Sequence, residues 1–244
     1  MNEFNLNSIS PIDGRYSDKT EVLSQYFSEK ALIFYRIKVE VEYFISLCKL
    51  GIPQLKKFES KKFDDLRKIY QDFSNEDAIE IKKIEKVTNH DVKAVEYFIK
   101  QKFEILGISD YKEFIHFGLT SQDINNSAIP LSIKDFINNI YIPKINKVIT
   151  AIENKSEELK DITIIARTHG QPASPTKLGK EFKVFSTRIN EQMKTLKKIP
   201  NSAKFAGAVG NFNAHKVAYP EIDWKEFGQN FIEKELGLNY SFPT

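Results

Sequence analysis

Four histidines stand in the 244-residue sequence, and each lies in a short polar block. The blocks are Thr88-Asn89-His90-Asp91, His116-Phe117-Gly118-Leu119-Thr120-Ser121, Arg167-Thr168-His169-Gly170-Gln171-Pro172 and Asn213-Ala214-His215. A fifth block, Asp13-Gly14-Arg15-Tyr16, sets an arginine beside a glycine. Imidazole titrates near neutrality and can give or take a proton there. Arginine offers a planar fork that matches phosphate or carboxylate. Such a set suits acid–base chemistry on an anionic small molecule. A metal site fits less well, because His90-Asp91 has no second ligand at helical spacing and Cys48 is the only cysteine. There is no Walker loop, no G-x-G-x-x-G and no G-x-S-x-G. Each block also has a plainer reading. Asn89, Thr120 and Ser121 are N-cap types, and His116 beside Phe117 fits a half-buried histidine with a satisfied hydrogen bond. Asp13-Gly14 fits a turn, Arg15 a surface ion pair, and His215 a structural role.

These blocks need elements to hold them. Residues 54–106 contain neither glycine nor proline, and residues 119–169 contain no glycine and only Pro130 and Pro143, which favours long helices. The stretch 17–50 reads as one helix stopped by Gly51 and Pro53. Within it Ile37-Lys38-Val39-Glu40-Val41-Glu42 alternates like a strand. Ile33, Ile37, Val41, Phe44 and Cys48 nevertheless keep helical spacing, and the run is too long for a strand. Ser74-Asn75-Glu76-Asp77 has the form of a capping box. Further helices are expected over 92–107, over 121–159 with a bend at Pro130 or Pro143, over 176–198 and over 224–236. Residues 206–211 read as loop. The histidine blocks therefore fall between helices, two of them at helix starts and the His169 block ahead of the helix from 176. Helix N-termini present unpaired N–H groups and partial positive charge, so gathered ends would make an anion pocket containing imidazoles.

Hydrophobic residues at 41% and charged residues at 28% exclude a disordered chain. A net charge of +3 is too small and too dispersed to indicate nucleic acid or a membrane surface as partner. The start, Met1-Asn2-Glu3-Phe4, lacks the features of a leader, and no apolar stretch approaches a membrane span. Cys48, in an apolar run, has no intramolecular disulfide partner, and a reducing, cytoplasmic setting is expected.

Four segments taken together go further than spacing alone. Ser10-Pro11-Ile12-Asp13-Gly14-Arg15-Tyr16, the stretch from Thr88-Asn89-His90-Asp91 to Glu96-Tyr97, the stretch from His116-Phe117-Gly118 to Asn125-Asn126, and Arg167-Thr168-His169-Gly170-Gln171-Pro172-Ala173 resemble, in that order, the bacterial-type adenylosuccinate lyase family. The resemblance implies an all-α, aspartase/fumarase-like fold: an N-terminal helical domain over 1–110, then the first long helices of a central bundle over 111–244. It implies a homotetramer whose active sites combine residues of several subunits. The implied reaction belongs to purine biosynthesis, a β-elimination of fumarate from adenylosuccinate, giving AMP, and from succinylaminoimidazole carboxamide ribotide. It needs no cofactor and no metal. Carried over residue by residue, His169 matches the acid that protonates the departing nitrogen, and Arg15 and Tyr16 match nucleotide-binding positions at the phosphate. Asn89, His90 and Asp91 match a second substrate-contacting segment, Thr120 and Ser121 match the pair that binds a succinyl carboxylate, and His116 lies near the site.

The sequence also departs from that family. Its members are considerably longer, and their general base is a serine in a Gly-Ser-Ser-x-Met-Pro-His-Lys-x-Asn-Pro-type loop that does not occur here. The expectation is a truncated chain whose parent is the enzyme and which alone lacks half of the catalytic pair. Two other readings stay in play. One is another superfamily lyase, such as an argininosuccinate lyase or a fumarase, which the Arg15 and His169 blocks fit poorly. The other is a non-catalytic helical oligomerisation module.

Overall fold

The computed structural model describes residues 7–242. The reading made at Met1-Asn2-Glu3-Phe4 lies outside the described residues. Contacts divide the chain into two compact units, one formed by Met1–Lys134 with Asn201–Thr244 and the other by Asp135–Pro200. This cut differs from the sequence-based boundary at 110, because residues 111–134 and 201–244 group with the first unit.

The first unit is built around α1, Glu29–Leu50. Ser28 caps it by accepting the Ala31 N–H, and Gly51 ends it at φ 79°. The expected helix from residue 17 is instead three short helical turns, since Ser28 is extended at ψ 163° and its cap restarts the chain. Fourteen residues of α1 are buried, on every side of the helix. That explains the strand-like alternation of 37–42: a helix enclosed on all faces needs no polar stripe. Its three buried charges are each paired, Arg36 with Asp91, Glu40 with His116 and Glu42 with Arg67. Around α1 lie α2 (Phe63–Gln71), α3 (Asn75–Thr88), α4 (Asp91–Ile105) and the start of α5 (Ser121–Phe136). The capping box of α3 forms as expected between Ser74 and Asp77. Cys48 is half-buried, and burial pushes its thiol up to about 12.

The expected helix 121–159 occurs as three consecutive pieces: α5 with Pro130 inside it, a π-helical segment Ile137–Tyr141, and α6, Ile142–Glu158, with Pro143 in its first turn. In the second unit, α6 packs against α7, Leu178–Lys198. Between them the chain forms an antiparallel hairpin, β1 (Thr163–Thr168) and β2 (Gln171–Lys177), which the sequence reading had as loop and helix start. His169 and Gly170 are its two turn residues, at φ 49° and 77°, the signs that a type I′ turn requires. Pro172 and Pro175 hide the strand, yet a two-stranded sheet is all edge and tolerates a missing N–H.

In the first unit, β3 (Ser202–Ala203) pairs in parallel with β4 (Asn239–Tyr240). Between them lie α8 (Asn213–Ala218) and α9 (Trp224–Asn230), the latter followed by a π-helical turn, Phe231–Glu235, where one helix was expected. This segment returns Phe205, Phe227 and Phe231 to the core against Tyr43 of α1, with Trp224 packed on Phe227. Trp224 is fully buried, and its indole N–H donates to the Tyr219 carbonyl at 2.9 Å.

Candidate active site

The helix starts of α4 and α5 meet through two side chains. His90 is the N-cap of α4, its Nδ1 accepting the Lys93 N–H at 3.2 Å, and its Nε2 lies 3.3 Å from Ser121 Oγ at the start of α5. Asn89, expected as the cap, instead closes α3 in the left-handed region at φ 51°. The reason is one of register: the chain needs one residue to stop α3 before the next can cap α4, and asparagine tolerates positive φ. Below this contact, the buried Arg36 donates to Asp91 Oδ2 at 2.6 Å and to Asn125 Oδ1 at 2.9 Å. One guanidinium thus ties the first residue of α4 to the first turns of α5. Burial alone would raise the Asp91 carboxyl, but the Val92 N–H and Arg36 hold it below its usual value.

The 116–123 loop rests on α1 and on the returning segment. His116 adopts φ 58°, and its Nδ1 lies 2.5 Å from Oε1 of the fully buried Glu40. Burial works against a charged His116, yet Glu40 outweighs it and raises the imidazole above its ordinary value. One helical turn along α1, Tyr43 donates to the Phe117 carbonyl at 2.6 Å and meets His215 Nε2 at 2.9 Å. With the phenol proton on Phe117, His215 presents Nε2–H to the tyrosine and its Nδ1 is left buried without a partner. Burial lowers His215 to about 4, so it is neutral. His215 lies inside α8, not between helices, and is fully buried, in keeping with the structural role read for it. Its ring sits where a Cβ on Gly118 would come within 2.7 Å, so Gly118, at φ 68°, is held by two constraints at once.

Asp123 closes the loop. Its Oδ1 accepts from Lys204 Nζ, Ala206 N and Gly207 N at 3.0–3.1 Å, and its Oδ2 accepts from Gly207 N and Thr120 N. Lys204 also donates to the Gly207 carbonyl. A fully buried carboxylate is satisfied only with this many donors. Here they fasten residues 204–207 beneath Thr120 and Ser121.

Arg15 and Tyr16 are exposed, and the guanidinium lies 5.1 Å over the Tyr16 ring. Among the described residues no ion pair or side-chain hydrogen bond engages Arg15, which leaves its fork available to a ligand. His169 stands on the second unit, exposed at the hairpin turn and not ahead of a helix N-terminus as the sequence suggested. The first unit therefore assembles Asn89, His90, Asp91, Thr120 and Ser121 with His116 nearby, while His169 and its hairpin form a separate feature.

A family model described as a lyase matches residues 14–237. The chain belongs to that lyase family. It is 52% identical over 237 residues to an adenylosuccinate lyase of Dictyostelium discoideum, covering 94% of this chain and 50% of the relative. It is 45% identical over 241 residues to one of Legionella pneumophila (strain Corby), covering 98% and 53%. An Escherichia coli (strain K12) adenylosuccinate lyase is 41% identical over 238 residues, covering 97% and 52%. The lyase chain thus spans about half the length of the curated relatives it matches. A fumarate lyase from Mesorhizobium sp. BNC1 superposes with a TM-score of 0.72 at 21% identity, over 93% of this chain and 49% of that one. The β-carboxy-cis,cis-muconate cycloisomerase of Acinetobacter calcoaceticus sp. ADP1 gives 0.70 at 19% identity, over 92% and 50%. The fold is the helical, aspartase/fumarase-like one expected from the sequence.

Sequence reasoning missed three residues that shape this cluster: Arg36, Glu40 and Asp123. Each lies within a helix, and no local motif separates it from an ordinary surface charge. A faint signal existed in Arg36 and Glu40, which fall at i and i+4 among the apolar residues of α1, where unpaired charges are costly. Among the described residues no helix is long and apolar enough to cross a membrane, and no group of three or more histidine, cysteine or acidic side chains is placed to hold a metal.

Proposed function

We propose that the chain contributes to an active site that eliminates fumarate from adenylosuccinate, giving AMP, and from succinylaminoimidazole carboxamide ribotide, as part of purine biosynthesis. The observation that carries the reading is the meeting of His90 and Ser121 at two helix starts, in a chain 52% identical to an adenylosuccinate lyase. Two converging N-termini with a hydroxyl between them suit a carboxylate, and the substrate has two carboxylates and a phosphate. In this reading Thr120 and Ser121 hold a succinyl carboxylate, while Asn89, His90 and Asp91 line the same ligand. Arg15 and Tyr16 bind the phosphate. A base removes the carbon-bound proton, the C–N bond breaks as the fumarate double bond forms, and His169 protonates the departing nitrogen. No residue of these 244 is assigned as the base, and the elimination is written without metal or cofactor. A homotetramer in the cytoplasm, with sites shared between subunits, completes the proposal.

The test is to join residues 1–244 to the C-terminal half of the Dictyostelium relative and follow fumarate release from adenylosuccinate. Turnover by the fusion is expected, with a loss of roughly 10²–10⁴-fold in His169→Ala. A folded fusion without turnover, or a folded His169→Ala fusion with undiminished turnover, would defeat the assignment it addresses.

A further inference from the structure

We infer that His90 is a positioning residue for Ser121, presenting Nε2–H to the serine oxygen so that the serine proton turns outward to a substrate carboxylate. The inference rests on the carboxylate role proposed for Ser121 and adds what sets its polarity. Histidine is an uncommon N-cap, a position led by serine, threonine, asparagine and aspartate. Here its Nδ1 accepts the Lys93 N–H at 3.2 Å, so that nitrogen carries a lone pair. A neutral imidazole has one donor and one acceptor, and the proton must then sit on Nε2, 3.3 Å from Ser121 Oγ. The competing partner is Asp91, whose Oδ1 lies 3.6 Å from Nδ1, beyond hydrogen-bond range, and already accepts the Val92 N–H at 2.8 Å.

The consequence falls on the serine. With Nε2–H donating to it, Ser121 Oγ is an acceptor toward His90 and a donor toward anything else. In the other tautomer the serine proton would point at Nε2, and only lone pairs would face the ligand, repelling a carboxylate. The chain holds the histidine in place from both sides. Thr88 Oγ1 donates to the His90 carbonyl at 3.1 Å, and the Arg36 clamp fixes Asp91 and Asn125, one on each helix. Asparagine at 90 would cap as well but could not reach Ser121. The combination of capping and reach accounts for a histidine here.

The test uses the full 244-residue chain, with ¹⁵N-labelled histidine. At about pH 8.5, two units above an ordinary imidazole, long-range ¹H–¹⁵N spectra should show His90 with Nε2 protonated and Nδ1 bare. Fumarate and AMP are then titrated separately into the unaltered chain, His90→Asn, His90→Ala, Ser121→Ala and His90→Asn/Ser121→Ala. His90→Asn should keep the thermal midpoint, whereas His90→Ala should lower it. Both His90→Asn and Ser121→Ala should weaken fumarate roughly 5–10-fold, and the double variant should bind no worse than Ser121→Ala alone. A protonated Nδ1 overturns the inference, as does unweakened fumarate binding in His90→Asn or an additive double variant. Fumarate failing to bind the unaltered chain while AMP binds removes the carboxylate step. Failure of both ligands, with the tautomer as expected, counts against the nucleotide reading.

Discussion

His116 and His215 lean on residues one turn apart in α1, yet they respond to pH with opposite signs. Glu40 raises His116 above the ordinary 6.5, so its stabilisation is full below that value and is lost as pH rises through the raised one. Burial lowers His215 to about 4, so its contribution is full above 6.5 and is lost as pH falls toward 4. NMR titration should therefore find His116 losing its proton above the ordinary imidazole value and His215 neutral down to about pH 4. Glu40→Gln should cost more stability at acid pH, where His116 is charged, than at a pH above its raised value, where that charge is gone. Asp123→Asn leaves the buried Lys204 ammonium without its counter-charge and should destabilise the chain by about 3–5 kcal/mol in urea unfolding. Lys204→Met in the same background should restore part of the loss. At this scale the sequence was half legible. Asn89, Thr120 and Ser121 announce themselves by type, but Glu40 and Asp123 are distinguished only by what they face, and that depends on segments 76 and 81 residues away in sequence.

The α6–α7 pair shows how an element can depend on one missing methyl group. A Cβ on Gly179 would lie 2.2 Å from the Ser156 carbonyl and 2.7 Å from the Lys160 Cα, and Ser156 Oγ donates to the Gly179 carbonyl at 2.7 Å. Replacing a helical glycine by alanine ordinarily stabilises by about 1 kcal/mol. Gly179→Ala should do the reverse, costing about 1–3 kcal/mol because the helices must separate, and denaturant unfolding measures the sign directly. The helices themselves were readable from breaker placement and apolar spacing, including α1 against its strand-like alternation. The hairpin was not. Pro172 and Pro175 masked its strands, and His169-Gly170 is a less familiar turn pair than Asn-Gly, although both positions have the positive φ that such a turn demands.

At the scale of the whole molecule, chain order conceals that residues 201–244 belong with the first unit, because no composition shift marks the return. The two units differ in what they bury. The second has Ile149 and Met193 as its buried apolar side chains among the described residues, while Ile165, Phe185 and Val148 stay exposed, and a groove of about 550 Å³ lined by Ile145, Ile189 and Leu196 runs along α6 and α7. Exposed apolar surface of this kind drives association. Light scattering should find the chain larger than its 28.2 kDa monomer, and a monomer at every concentration would refute this. The buried Trp224 has a separate consequence for optical measurements. It is the only tryptophan in the sequence and belongs to the first unit, so selectively excited tryptophan fluorescence is blind to the second. Circular dichroism at 222 nm (about; the usual helix band) sums the helices of both units. If the thinly packed α6–α7 unit melts first, the ellipticity will begin to fall at denaturant concentrations where the tryptophan emission has yet to shift to the red. Coincident curves would instead mean that the whole chain unfolds as one cooperative body.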